Sequence, residues 1–361
     1  NVGAASELRA RLGDSSTLAA RAAIRRGEDS SELQHVIYTS CPVCETGDYL
    51  EIDVSVNLLA GDTANAAGLG TLTATADQSI WLFETAGNMN LRNILSRQGD
   101  VDLKAQGSIR DAVDLLNPLD PSSAHASGPT STTSKPGTDI TARNVTLQSI
   151  NGGLGEVGND LDIDSSYSAD GALTITSTAL NAYIIETVGV LGLNTISVGP
   201  DANGVIQTAY LTAPNSGAGN SRGSIVNRAA AGDINVTSGK LWLFAVGDIG
   251  SLAQPITTKA QSIEGKSTLG NFVVDNTGAV EIGGVIDGSF NGETVSGIVA
   301  GGQVQFVAHS PITQSENVLA VGDIEIKAVD AAGNGDWLRV LSGRTVQSTG
   351  GSIYLRSGDD M

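Results

Sequence analysis

Three fourteen-residue segments of this chain align with one another without gaps: Trp81 to Ile94, Tyr183 to Ile196 and Phe272 to Val285. Each reads aromatic, two apolars, acid, Thr or Asn, any residue, Gly, any, apolar, any, apolar, two of any, apolar. Physically this is a short strand, a turn and a second strand. Glu84, Glu186 and Asp275 stand where the chain leaves the first strand, and Gly87, Gly189 and Gly278 supply the permissive backbone of the corner. After the corner, Met89, Leu91 and Ile94 alternate inward, as do Leu191, Leu193 and Ile196, or Val280, Ile282 and Val285. A unit of this size cannot bury its apolar face alone and has to stack on a copy of itself.

Shorter units follow the same logic. Gly99 to Leu103, Gly107 to Ile109, Gly232 to Val236, Gly322 to Ile326 and Gly351 to Leu355 each join a turn to an alternating apolar run, which predicts a half-buried strand. A further echo links Leu154 through Leu161 with Ile249 through Ile256. The 45 glycines, 16% charged and 4% aromatic residues favour thin layers of Val, Ile, Leu and Ala over a globular core with large anchors. The expected fold is all-β, a right-handed parallel β-helix (β-solenoid) over residues 50–361. Coils of roughly 20 residues would number about 15 and make a rod on the order of 70 Å long. The Asn-Gly pairs at 151–152, 203–204 and 291–292 are too scattered to pin the hairpins of a sandwich or propeller.

Residues 1–49 depart from the pattern. Leu8, Leu12, Leu18 and Ile24 suit one or two short helices, giving a partly helical N-terminal cap or connector. Arg9, Arg11, Arg21, Arg25 and Arg26 against Glu7 and Asp14 leave residues 1–26 at +3 in a chain of net charge −19. These arginines are candidate subunit contacts, because a basic segment can dock on the acidic body of the next copy. A cap would instead cover the unpaired edge of an open solenoid end. Cys41 and Cys44, spaced Cys-Pro-Val-Cys, lack the further ligands of a zinc site and the βαβ surroundings of a redox motif, which leaves a local disulfide or free thiols. Residues 117–138 hold four of the nine prolines and read as a projecting loop.

Function classes narrow by elimination. The acidic balance argues against nucleic acid, and no apolar run is long enough for a membrane span. His35, His125 and His309 have no motif around them, and neither a Gly-x-Ser-x-Gly elbow nor a phosphate loop occurs. Asp160, Asp162 and Asp164 would share one face of a strand with Leu161 and Ile163 on the other. They are weak calcium candidates, or a carboxylate pair, against the simpler reading of solvated outward acids; the Gly-Gly-x-Gly-x-Asp calcium repeat is absent. No catalytic residue and no cofactor are expected. Trp81, Trp242 and Trp337 fall in apolar runs and are expected to pack in the core.

The segments Gly-Asp-Val-Asp-Leu-Lys-Ala-Gln-Gly-Ser-Ile (99–109) and Asp-Ile-Thr-Ala-Arg-Asn-Val-Thr-Leu-Gln-Ser (139–149), with the Gly-x-Ile/Leu-Gly units, resemble the repeats of filamentous-haemagglutinin-like large bacterial exoproteins. The resemblance covers roughly residues 70–361. It implies a right-handed parallel β-helix, export to the cell surface or extracellular space, and roles in adhesion, biofilm matrix or filament formation. Its implied partners are copies of the chain itself, or surface and matrix glycans and proteins. The alternative on the same fold is a carbohydrate-active enzyme of the polysaccharide lyase or glycosidase type.

Overall fold

The computed structural model describes the backbone of the strands Arg21–Arg26, Leu33–Thr39 and Leu50–Ile52, and residues 71–112, 138–167, 171–177, 179–200, 203–215, 222–286, 297–329 and 335–358. Among these residues there is no helix; all regular structure is strand. The strands form two sheets, of 17 and 13 members. The chain passes from one sheet to the other at each corner, so that successive strands in a sheet are one coil apart. Ile80 lies opposite Val101 and Val304 opposite Ile324, a coil of about 20 residues. Every pairing between the described strands is parallel except one. The fold is a parallel β-helix, as the stacking argument requires.

The second sheet runs along a path of twelve strands from Leu50–Ile52 to Ile353–Arg356, with Ser224–Asn227 beside Val190–Ser197. Eleven spacings of about 4.8 Å give a stack of about 50 Å among the described residues. Both the coil number and the length fall below expectation, because insertions lengthen several coils well past 20 residues. The insertions obey a rule. The eight-residue strands Met89–Ser96 and Val190–Ser197 are each succeeded in the stack by a pair of short strands, Ile109–Asp111 with Ile140–Thr141, and Ser224–Asn227 with Val236–Thr237. Extra residues enter at the break between the two short strands.

The core is one continuous apolar column between the sheets. Met89, Leu91 and Ile94, like Leu191, Leu193 and Ile196, are fully buried in it, as the alternation predicts. Val280 and Ile282 join them, whereas Val285 packs in a separate cluster outside the first sheet. The strands expected after the glycine-led turns are present at Val101–Ala105, Ile109–Asp111, Val236–Thr237, Ile324–Ala328 and Ile353–Arg356. In the third of these units Ile234 is only half-buried; Asn235 and Val236 take the interior instead. The Asn235 side-chain amide reaches the Leu193 carbonyl of the coil below at 2.7 Å.

At the N-terminal end the helix expected to include Ile24 is replaced there by the strand Arg21–Arg26, antiparallel to Leu33–Thr39. Leu33–Thr39 in turn pairs in parallel with Thr71–Ala76, which draws residues before 50 into the stack. Val36, Ile37, Tyr38 and Thr39 are β-branched or aromatic, and this local preference outweighs the helical spacing upstream. Leu8, Leu12 and Leu18 lie outside the described residues.

One device recurs at the corners. Ser96, Ser149, Ser267 and Ser348 each accept a hydrogen bond from the N–H of the glycine three residues on, at 3.0, 3.1, 3.1 and 2.8 Å. Each hydroxyl donates to a carbonyl of the preceding coil, of Gln78, Gly107, Gly247 and Gly322, at 2.9, 2.7, 2.6 and 2.7 Å. A Cβ on Gly270 would stand 2.6 Å from the Asp248 backbone nitrogen, so only glycine permits the approach. Gly270→Ala should therefore lower the melting temperature by displacing one coil from the next, and Val236→Asp should unfold the neighbouring coils where Ile234→Asp costs far less. Thermal melts by circular dichroism of the three variants test the placement; equal melting of the two aspartate variants contradicts it.

Candidate functional site

The first insertion leaves after Asp111, at the end of Ile109–Asp111, and the chain returns at Asp139, just before Ile140–Thr141. One tier further on, Leu154 makes a single-residue bridge between Ile109 and Ala182, and after a short excursion the chain resumes as Leu161–Asp164. Two successive breaks thus lie against each other, and four carboxyl groups line them: Asp111, Asp139, Asp160 and Asp162, all at most 2% exposed. The Asp139 carboxylate accepts from the Asp162 N–H at 3.0 Å, and the Asp139 N–H donates to the Asp162 carbonyl at 2.8 Å. The Asn159 side-chain amide donates to the Asp111 carbonyl at 3.1 Å.

Electrostatics follows from the burial. Asp139 is held well above the usual carboxylate range, first by desolvation, then by the charges of Asp111 and Asp162, against the opposing hydrogen bond from the Asp162 amide. The nearby Asp111 side chain adds to the rise.

Asp160, Asp162 and Asp164 share one face of their strand, with Leu161 and Ile163 fully buried on the other, as the alternation predicts. The reading of them as solvated acids is corrected: Asp160 and Asp162 are buried, and Asp164 is half-buried with Ser166 donating to it from both N–H and Oγ at 3.1 Å. They are covered because the strand's outer side is not a free surface at this break. Among the described residues no group of three His, Cys, Asp or Glu side chains is disposed to hold a metal ion.

Other predicted positions resolve differently. Glu84 and Glu186 are buried corner caps: Glu84 accepts from the Ala86 N–H at 3.1 Å, and Glu186 accepts from the N–H and Oγ of Ser165 and from the Val188 N–H. Burial raises Glu186 well above its ordinary value. The third copy is out of phase by one residue, so that Asn276 takes the inward corner position and bonds Thr258 and Ala260, while half-buried Asp275 pairs with His309 at 3.0 Å. The three tryptophans leave the core. Trp81 and Trp337 are half-buried, and Trp242 is buried on the outer side of the first sheet with Tyr183, Phe244, Val246 and Val285. Arg21, Arg25 and Arg26 lie in the antiparallel end strand; Arg9, Arg11, Cys41, Cys44, His125 and residues 117–137 lie outside the described residues.

Two features escaped the sequence reading. One is the Ser-x-x-Gly corner, legible as Ser96-Arg-Gln-Gly99, Ser149-Ile-Asn-Gly152, Ser267-Thr-Leu-Gly270 and Ser348-Thr-Gly-Gly351. The other is an outward row, Tyr183, Tyr210, Trp242 and Glu264, lying side by side on four consecutive strands. Tyr183 and Tyr210 stack with centroids 4.6 Å apart and planes 7° from parallel. Tyr183 also feels the charge of Asp160, which places that acid at the row's near end.

No protein-family model matches the chain, and neither curated proteins nor solved structures give a match.

Because Asp139 keeps its proton in the folded state and loses it more readily in the unfolded chain, its contribution to stability is present at acid pH and lost as pH rises. Asp139→Asn should therefore raise the melting temperature at pH 8 by a few degrees, with each kcal/mol shifting it by roughly 2–4 °C. It should leave the value at pH 4 nearly unchanged. Calorimetry at the two pH values checks this; a lower melting temperature at pH 8 would show that the ionised carboxylate is the stabilising form.

Proposed function

We propose that this chain is a structural and adhesive solenoid of a bacterial extracellular surface protein, joined end to end with further copies of itself into a longer rod or filament. The observation that supports the reading is the in-register parallel stack, in which each tier leaves a sheet edge and an apolar column for the next. Ile353 and Leu355 stand in register with Ile324 and Ile326, and Val346 with Val318. The earlier three are fully buried, while Ile353 is 43% exposed and Val346 and Leu355 are only half-covered. Among the described residues these are the core positions left least covered. Leu338–Val340, Val346–Ser348 and Ile353–Arg356 also pair on one side only among the described strands. A sheet edge over an apolar column is a template for another tier, supplied by further chain or by a second copy alike.

The outermost described strands are unlike. At the other end of the first sheet, Leu33–Thr39 is flanked on its far side by the antiparallel Arg21–Arg26, which interrupts the parallel template. Association that uses the edge of Ile353–Arg356 is accordingly directional, or pairs two such edges about a twofold axis. The repeat grammar that resembles filamentous-haemagglutinin-like exoproteins supports surface export and contact with matrix glycans or proteins. The net charge of −19 keeps the flanks of neighbouring rods apart and favours joining at the ends. The alternative, a carbohydrate-active enzyme, requires carboxyls open to a sugar, and the acids that converge at the two breaks are buried.

Electron microscopy and sedimentation velocity across a concentration series test the proposal. End-to-end assemblies with an axial repeat near one rod length are expected, and Ile353→Asp with Leu355→Asp should reduce them to single rods of unchanged circular dichroism. Single rods of the native chain at every concentration, or assemblies indifferent to the two substitutions, overturn it.

A further inference from the structure

Glu264 occupies the outer side of Ser262–Ser267, next to Trp242 in the row described above, while its neighbour Ile263 points into the core. The chain that leaves Val280–Ile282 does not continue to the next corner. It turns out through Gly283 and Gly284, with φ of 131° and 71°, and lays Val285 and Ile286 against Trp242, Phe244 and Tyr183. Glu264 holds that segment: its Oε1 accepts from the N–H of Val285 at 2.6 Å and more weakly from that of Ile286 at 3.4 Å. Its Oε2 is buried and has no such partner, and the same is true of Oε2 of Glu316. Glu316 belongs to the turn between Ile312–Gln314 and Val318–Ala320, where its N–H donates to the Ile282 carbonyl at 3.2 Å, and its carboxyl lies within hydrogen-bonding reach of Glu264. Two carboxylate oxygens facing each other without a donor are satisfied by one proton between them.

We propose that a proton shared by Glu264 and Glu316 locks the Gly283–Ile286 segment over Trp242 and Phe244, and that its loss frees the segment and uncovers the aromatic row. The assignment goes beyond end-to-end association and does not depend on it. Burial, and then the charge of Glu316, push Glu264 up to about 7 from 4.5, against the lowering effect of the Val285 and Ile286 amides. The other ionisable groups around it are Tyr210 in the same row, Lys240 and Lys266 two residues along on the same face, and Glu281 beside Gly284. Lys266 is set over the Phe244 ring, with its Nζ 5.9 Å from the centroid. A carboxyl that holds its proton more tightly when the segment is closed than when it is open favours closure at acid pH. That preference is lost as pH rises through the closed-state value. The segment is thus closed in mild acid and released above neutrality.

The test uses the full chain with Trp81→Phe and Trp337→Phe, leaving Trp242 as the reporter. Acrylamide quenching between about pH 5 and about pH 9 should rise several-fold through one titration near neutrality, with far-UV circular dichroism constant. Glu264→Gln, which keeps an acceptor for the two amides but cannot ionise, should stay closed throughout. Glu316→Gln should move the midpoint toward the ordinary carboxylate range. Flat quenching in the parent, a titration that persists in Glu264→Gln, or a parallel loss of circular dichroism showing general unfolding would each overturn the switch.

Discussion

The closeness of one coil to the next at its corners governs the rest of this molecule. Strands one tier apart are held at about 4.8 Å by their ladder, but a corner has no ladder and must find its own contacts. Here the Ser-x-x-Gly turn supplies them: the glycine lets backbone meet backbone, and the serine hydroxyl takes the turn's N–H while reaching to a carbonyl of the adjoining coil. Gly99, Gly152, Gly270 and Gly351 all sit where an added Cβ would fall within 2.7 Å of the preceding coil. Corners so tight admit no extra residues, which accounts for where the chain does grow. Several insertions enter by splitting a strand, where the two halves keep their own pairing and the core column continues unbroken.

Those breaks are where polar groups reach the interior. A strand that ends mid-sheet exposes amides and carbonyls that a continuous ladder would have used, and a buried polar group has to be satisfied on the spot. Asp111, Asp139 and Asp162 do this at the first break, and Glu264 with Glu316 at the last. In both places buried carboxyls lie close together and take amide donors freed by the broken strand. The insertion after Leu154 and the one after Ile249 share a backbone solution. Gly155 and Gly250, at φ of 63° and 65°, begin matching four-residue turns closed by reciprocal hydrogen bonds, Glu156 with Asn159 and Ser251 with Gln254. The sequence echo between these segments is therefore a true structural repeat, used once in each sheet.

The repeat grammar was legible because it is local. Strand, corner glycine and inward alternation depend on a few consecutive residues, and they are found where the aligned copies place them. What those copies encode is a corner and not a coil. The first and third begin in the second sheet and the middle one begins in the first, half a turn out of step. A gapless alignment could not show this, nor that Phe272 faces inward where Trp81 and Tyr183 face out, since both phases satisfy the same apolar pattern. The candidate acids were less legible. Asp160 and Asp162 look like solvated residues in the sequence because their burial is imposed by chain twenty or more residues away. The Glu264 and Glu316 pair had no local signal, joining residues two tiers apart through an insertion.

The buried acids also bear on how such a stack holds together. In a solenoid each coil is stabilised chiefly by its two neighbours, so stability is a sum of interfaces and the weakest interface sets where opening begins. Asp139 and Glu186 are both held above the usual carboxylate range by burial, and they lie in neighbouring parts of the stack, joined through Ile140, Ile163 and the strand Ala182–Glu186. Rising pH therefore weakens this stretch more than a tier such as Val304–Ala308 on Ile324–Ala328, where the inward residues are Val304, Phe306, Ala308, Ile324, Ile326 and Ala328.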